Sequence, residues 1–317
     1  MLDGELILRR ARRPLVLGMG GGGDVVGALA TADYARLYDG AEPLLGGITW
    51  ERRAIDPVAG PRAVSEIVDG EELVPGILLA GPRTRVRDRD VFFAESRMAE
   101  FLGARTVLID INRGPGAIAL SLRHAVDRLG VDLVVFIDVG GDVLAQGGER
   151  GLTSPLCDAM MLAAARSLGA SGTPVLAGVF GAGCDAELTP EEVLAQLANV
   201  ATAGGWCATR GLSEAIAERL EGAIEHVPTE ASAQAVRAFR GAAGTARIRD
   251  GTRALELSAV AALTFYLDVE VTIRAVGRLA RAVAGAADVE EANRALGELG
   301  LRTELDRERD AAAQLSA

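Results

Sequence analysis

Lysine is missing from this chain: all 33 basic side chains among its 317 residues are arginine. A Walker-type phosphate lysine, a Schiff-base lysine and a lysine general base are therefore excluded. Histidine is nearly missing, with only His124 and His226. His124 falls inside a helix-like pattern, where packing or a surface position is the plain reading. His226 precedes Val227-Pro228 at a helix end, where it reads as a cap-like residue. With so few imidazoles, neither a Ser-His-Asp triad nor a histidine-rich zinc site is expected. Any metal is expected to be a hard, oxygen-liganded ion such as magnesium. Aromatic residues make up 4%, so the core has to be built from Ala, Val, Leu and Ile. Cys157, Cys184 and Cys207 are odd in number and widely spaced, which suits reduced thiols in a cytosolic chain. No apolar run reaches the length that spans a bilayer. Acidic residues outnumber basic ones 44 to 33, which argues against a nucleic-acid or anionic-membrane partner. The arginine-rich residues 9–13 resemble a twin-arginine signal. A strand and a glycine loop follow them instead of an apolar h-region, so no targeting segment is expected and the location is read as cytoplasmic. The oligomeric state carries no sequence signal, and a homo-oligomer is compatible with the chain.

What the chain does have is glycine in one place. Residues 14–38, PLVLGMGGGGDVVGALATADYARLY, read as a short buried strand, a glycine turn and a helix. Gly18, Gly20 and Gly23 satisfy the G-x-G-x-x-G spacing in its strand-turn-helix setting. Glycines let backbone N–H groups approach a ligand closely, and the helix start behind them favours an anion. Gly20, Gly21, Gly22 and Gly23 are thus candidate binding residues. Asp24 competes with an anion there, as a helix cap, a metal ligand or a partner for a substrate hydroxyl. A tight strand-to-helix turn with no ligand is the plainer alternative.

Further along, strands are expected at 44–50, 106–111, 133–137 and 175–179, separated by helices at 92–102, 115–129, 155–168 and 189–203. Thr189, Pro190 and Glu192 mark the last helix start as a capping box. This alternation means βαβ units and an open, mainly parallel Rossmann-like α/β sheet. Residues 54–90 read as loop-rich with short strand pieces. From 211 onward the pattern is mostly helical (212–225, 230–240, 273–284 and 289–299), interrupted by a hairpin at 246–257 around Asp250-Gly251. The tail at 303–317 reads as a terminal helix or a frayed end. No linker-like composition break occurs, so residues 1–317 are expected to form one domain, with 1–210 as the sheet core and 211–317 as a helical extension packed on it.

Four expected parallel strands run into acid or glycine, and ligands of open parallel sheets lie beyond the carboxyl ends of the strands. Asp24, Asp110, Asp138, Asp142 and Asp185 are therefore expected near one crevice, with Gly140 and Gly141 in the turn between two of them. Ser154 and Asp158, at the next helix start, join them. Asp138, Asp142, Asp110 and Asp185 are the candidate catalytic residues, and Asp138 and Asp142 the candidate metal ligands. Each has a duller role: a pair with Arg113 for Asp110, a cap for Ser154, a turn brace for Asp142. Grouped carboxylates with no lysine among them need a cation or raised pKa values. Glu51, with Arg52 and Arg53, stands where a dinucleotide fold would meet the adenosine ribose.

GMGGGGDVVGAL (residues 18–29), ITWER (48–52), DVGGD (138–142) and PTEAS (228–232) resemble the landmarks of domain-of-unknown-function family 1152 over nearly the whole chain. The resemblance implies a shared fold and carries no activity. GPGAIALSLRHAVDRLG (114–130) with the later DVGGD is similar to D-glutamate cyclase-type proteins, over a match too short to carry a substrate. The expected function is an enzyme, of transferase or hydrolase type, acting on a phosphorylated or nucleotide-like small anionic ligand at the glycine-rich loop, with magnesium or carboxyl acid–base chemistry. The alternatives are an NAD(P)-dependent oxidoreductase and a non-catalytic ligand-binding protein.

Overall fold

The computed structural model describes residues 3–316; the sequence-based domain range also includes Met1, Leu2 and Ala317, which lie outside the described residues. A short helix, α1 (Gly4–Arg10), leads into β1 (Pro14–Gly18), α2 (Asp24–Tyr38) and β2 (Leu44–Ile48). Four short strands follow, β3 (Ile67–Val68), β4 (Glu71–Val74), β5 (Ile77–Ala80) and β6 (Arg85–Val86). The regular part runs through α3 (Ala94–Leu102), β7 (Thr106–Ile109), α4 (Pro115–Leu129), β8 (Leu133–Val139), α5 (Pro155–Ala170), β9 (Val175–Phe180) and α6 (Pro190–Thr202). Then come β10 (Trp206–Gly211), α7 (Glu214–His226), α8 (Glu230–Phe239), the hairpin β11 (Gly244–Ile248) and β12 (Arg253–Leu257), and β13 (Leu263–Leu267). Four helices end the chain: α9 (Val269–Ala275), α10 (Arg278–Val283), α11 (Val289–Glu298) and α12 (Glu304–Ser316).

The main sheet has nine strands in the order β10-β13-β9-β8-β1-β2-β7-β5-β4. Its centre, β9-β8-β1-β2-β7, is all parallel. Taken in chain order, these five strands have the arrangement 3-2-1-4-5 of a dinucleotide-type fold, whose order reverses between β1 and β8. Their residues are almost all buried, as strands covered on both faces must be. Side chains alternate between the two cores: Leu15 and Leu17 face one apolar cluster and Val16 the other. Helix α2 packs into the Val16 side and α5 into the Leu15 side. The helices following β1 and β8 therefore leave on opposite faces, which opens a crevice between these strand ends.

Local chemistry fixes the element ends. At α6 the Thr189 hydroxyl accepts from the Glu192 N–H at 3.2 Å, and the Glu192 carboxylate accepts from the Thr189 N–H at 2.8 Å. Helices α3 and α4 stop at Gly103 and Gly130, both left-handed. The C-terminal portion is mostly helical, and the expected hairpin forms with Ile248 opposite Arg253. Strands β10 and β13 were not anticipated. β13 inserts between β9 and β10, antiparallel to both, and β9 lies far away in sequence. The helix expected at 273–284 is two, α9 and α10, broken at Gly277, where a Cβ would come within 2.6 Å of the Ile273 Cα. Among the described residues, no helix is long and apolar enough to cross a membrane.

Gly18 shows how tightly β1 meets α2. A Cβ there would lie 2.5 Å from the Asp24 carbonyl carbon and 2.5 Å from the Val25 nitrogen, both backbone atoms. Gly18→Ala is expected to cost about 1–3 kcal/mol in urea denaturation. Gly116→Ala, on an open face of α4, is expected to be neutral or to stabilise by about 0.5 kcal/mol.

Candidate functional site

A cleft of about 970 Å³ opens over the carboxyl ends of β1 and β8. The glycine loop, Trp50 to Ile55, the loops after β8 and β9, the start of α8, the β11–β12 tip and one face of α12 line it. Neither His124 nor His226 does. His226 stacks at 5.2 Å on the Phe101 ring and sits 3.0 Å from the Gly222 carbonyl, a helix-end contact.

Carboxylates form the floor in two adjoining groups. Asp24 opens α2, Asp138 ends β8 and Asp158 lies in the first turn of α5; one oxygen from each lies within 4.8 Å of the others. Asp142, Asp185 and Glu187 make the second group to the same limit. The Gly20 N–H donates to Asp24 Oδ2 at 2.9 Å and the Val143 N–H to Asp138 Oδ2 at 3.2 Å. Asp158 is 2% exposed, and its Oδ1 has no hydrogen-bond partner. Glu187 is the opposite case: it accepts from the N–H and hydroxyl of both Thr153 and Ser154. Ser154 thus anchors Glu187 rather than capping α5, whose start makes no side-chain cap bond.

Burial pushes the Asp24 carboxyl up to about 7, against hydrogen bonds from the Gly20 and Val139 backbone. It pushes Asp185 to about 8, with Glu187 adding repulsion. Asp138, Asp142 and Asp158 rise well above the carboxylate range, first through burial and then through neighbouring carboxylates: Asp24 and Asp185 act on Asp138, Asp158 and Asp138 on Asp142, and Asp138 and Asp24 on Asp158. These groups cannot all ionise in one another's company; they hold protons or share a cation. Cys157 lines the cleft, but burial raises its thiol, so it is no ready nucleophile.

Two donors of the glycine loop are taken by other parts of the protein. Gly20 N–H binds Asp24, Gly22 N–H binds the Trp50 carbonyl at 3.0 Å, and Arg52 covers Gly22 on its way to the Pro228 carbonyl. A Cβ on Gly21 would meet the Trp50 carbonyl, and one on Gly23 would meet Thr229. The PTEAS segment thus packs onto the glycine loop through Thr229. Gly140 has φ 130°, and a Cβ there would strike the Asp185 carboxylate at 2.2 Å; Gly141, at φ 114°, packs on Val193. Glu51 lines the cleft, but its Oε1 accepts from the Ala94 N–H at the start of α3. Asp110 is not brought in. It lies beyond β2 at the end of β7, where it accepts from the N–H groups of Val64 and Asn112 and from the Asn112 side-chain amide.

The tail read as a terminal helix or a frayed end is helix α12, and sequence reasoning missed that it lines the cleft. Both oxygens of Glu304 accept from the free N–H groups of Leu156 (3.0 Å) and Cys157 (2.8 Å) at the start of α5. Glu308 binds the Trp50 indole and the Gly60 N–H. The i, i+3, i+4 spacing of Glu304, Arg307 and Glu308 puts them on one helix face, but nothing local says that this face meets the cleft.

These features define a Rossmann-type α/β protein with an acidic cleft at its topological switch point. The chain belongs to the family described as protein of unknown function (DUF1152), whose profile matches residues 15–312. No curated protein and no solved structure matches it.

Beside the cleft, burial pushes the Glu51 carboxyl up to about 7 from its ordinary 4.5. The folded chain then keeps a proton on Glu51 that the unfolded chain gives up, so the contribution of Glu51 to stability falls as pH rises from about 4.5 to about 7 and is level above. Glu51→Gln keeps an oxygen for the Ala94 N–H and removes the titration. It is expected to flatten that part of the pH–stability curve and to gain up to about 3 kcal/mol at pH 8 relative to pH 4, read by urea denaturation across pH.

Proposed function

We propose that the cleft is a magnesium-assisted active site, of transferase or hydrolase type, for a phosphorylated or nucleotide-like small molecule lying along the glycine-rich loop. The observation that carries this reading is Asp158 Oδ1. It is a buried carboxylate oxygen with no hydrogen-bond partner, on a side chain that brings one oxygen within 4.8 Å of Asp24 and Asp138. Leaving such an atom unpaired costs about 1–3 kcal/mol or more, and a hard divalent ion bound by oxygens removes that cost. In this reading Asp24, Asp138 and Asp158 would hold the ion, and the chemistry it would supply is Lewis-acid stabilisation of charge on a phosphoryl group. Asp142 and Asp185, in the neighbouring group, supply the acid and base for the attacking and leaving oxygens. With no histidine in the cleft and no lysine in the chain, carboxyls are the groups suited to that proton traffic.

The NAD(P) reading has less support, because Gly20 and Gly22 do not offer their N–H groups to a pyrophosphate and Glu51 is turned to α3. A thermal-shift panel of nucleotides and sugar phosphates, with and without magnesium, tests the assignment. Stabilisation that needs both magnesium and a phosphate ester is expected, and Asp158→Asn is expected to abolish the magnesium dependence and lower turnover at least about 100-fold. Stabilisation by NAD or NADP alone favours the oxidoreductase. Binding without turnover, unchanged in Asp138→Asn, favours a non-catalytic receptor.

A further inference from the structure

The cleft has a second wall of the opposite charge. Arg249 and Arg253 come from the tip and the second strand of the β11–β12 hairpin, and Arg307 from the cleft-facing side of α12. One carboxylate answers two of them: Glu187 pairs with Arg249 at 3.5 Å and Arg253 at 3.8 Å. Arg307 makes no side-chain hydrogen bond or ion pair among the described residues, although acids line the same cleft. Arg253 is held rigidly, donating to the Thr153 hydroxyl at 2.8 Å and to the Gly151 carbonyl. Arg249 and Arg307 repel it, and together with its burial this lowers its hold on its proton.

The hairpin tip is built at a cost. Arg249 (φ 54°) and Asp250 (φ 53°) both sit in the left-handed region that side chains avoid. Glu230 holds the Arg249 N–H at 2.8 Å, and the Thr252 hydroxyl holds the Arg249 carbonyl. Backbone strain retained by surrounding contacts at the mouth of a cleft is a mark of functional placement.

We infer that Arg249, Arg253 and Arg307 form a phosphate subsite, separate from the acidic floor, that takes the terminal phosphate of a phosphomonoester. The inference rests on reading the cleft as a site for a phosphorylated ligand, and it moves the anion from the glycine loop to the arginine wall. A single carboxylate is satisfied by one bidentate guanidinium. Arg249 and Arg253 share one Glu187 and Arg307 has no ion pair among the described residues, so three guanidiniums with one ion-paired carboxylate leave two charges open, which matches a phosphate dianion with three accepting oxygens. The internal phosphates of a dinucleotide carry one charge each and fit this wall less well. A sugar or nucleoside monophosphate meets the requirement: its phosphate on the arginines, its body across the cleft.

Titration calorimetry with inorganic phosphate, in EDTA and at constant ionic strength, tests the subsite without the metal. Wild-type chain is expected to bind one phosphate, Arg307→Gln and Arg249→Gln to weaken it at least tenfold each, and Arg307→Lys to retain part of it. Asp158→Asn is expected to leave phosphate binding in place, so loss of the magnesium effect and loss of the subsite are read separately. Arg307 has no partner to lose, so its variants keep the fold. No phosphate binding by wild type, binding unchanged in the Arg249→Gln/Arg307→Gln double variant, or succinate binding as tightly as phosphate would each overturn the inference.

Discussion

Mutual repulsion among carboxylates held out of water is the constraint on which this fold's cleft depends. Asp138, Asp142 and Asp158 are 1%, 6% and 2% exposed, and the ion pairs of the region go to Glu187 alone. Two unit charges about 4 Å apart repel by about 4 kcal/mol at an effective dielectric of 20. Net stabilities of folded domains are only about 5–15 kcal/mol, so a fully ionised floor would consume much of the total. The floor exists as a set of protonated acids or as a cage around a cation. The aliphatic cores on the two faces of the sheet carry what burial cost remains.

The place of that floor follows from topology. Reversal of strand order between β1 and β8 sends α2 and α5 to opposite faces, and side chains at these strand ends face each other across the gap with no helix over them. Glycine then lets the walls approach. Gly18 allows α2 to start against its own strand, and Gly140 leaves room for the Asp185 carboxylate. Gly47 does the same for Glu95, whose Oε1 would lie 2.0 Å from a Cβ there. In each case the missing side chain admits backbone or a carboxylate. In the loop that resembles a pyrophosphate cradle, the Gly20 N–H goes to Asp24 and the Gly22 N–H to the Trp50 carbonyl.

The parallel core was legible because its signals are local. Buried apolar runs such as residues 133–137 alternate with helices marked by Pro155, by the Thr189–Glu192 box and by Gly130. The meeting of Asp24, Asp138, Asp142, Asp158 and Asp185 followed from one rule about strand ends. What stayed hidden depends on long-range pairing. β13 gains its identity from β9 and β10. Asp110 obeys the same strand-end rule, yet β2 lies between it and the switch point, and strand order cannot be read along the chain. Glu304 and Glu308 sit in a polar tail whose pattern is that of any solvated helix, and only docking on α5 gives them the start of that helix and Trp50 as partners.

Loss of lysine and near-loss of histidine give the cleft its character. Arginine does not release its proton in the working range, so on the arginine wall it acts as fixed charge and fork-shaped donor. Proton movement is left to carboxyls, and those on the floor have been lifted by burial toward neutrality, Asp24 to about 7 and Asp185 to about 8. Fixed positive charge stands on the hairpin and at Arg307 of α12, and variable charge on the floor and at Glu304 and Glu308 of the same helix. The walls cannot neutralise each other directly except through Glu187, which Thr153 and Ser154 hold in place. On the proposed reading, a ligand that is itself split, an anion at one end and a cation-binding oxygen at the other, would complete both walls at once. Such a ligand would relieve the repulsion within each set, so its binding and the stability of the cleft would be the same electrostatic event.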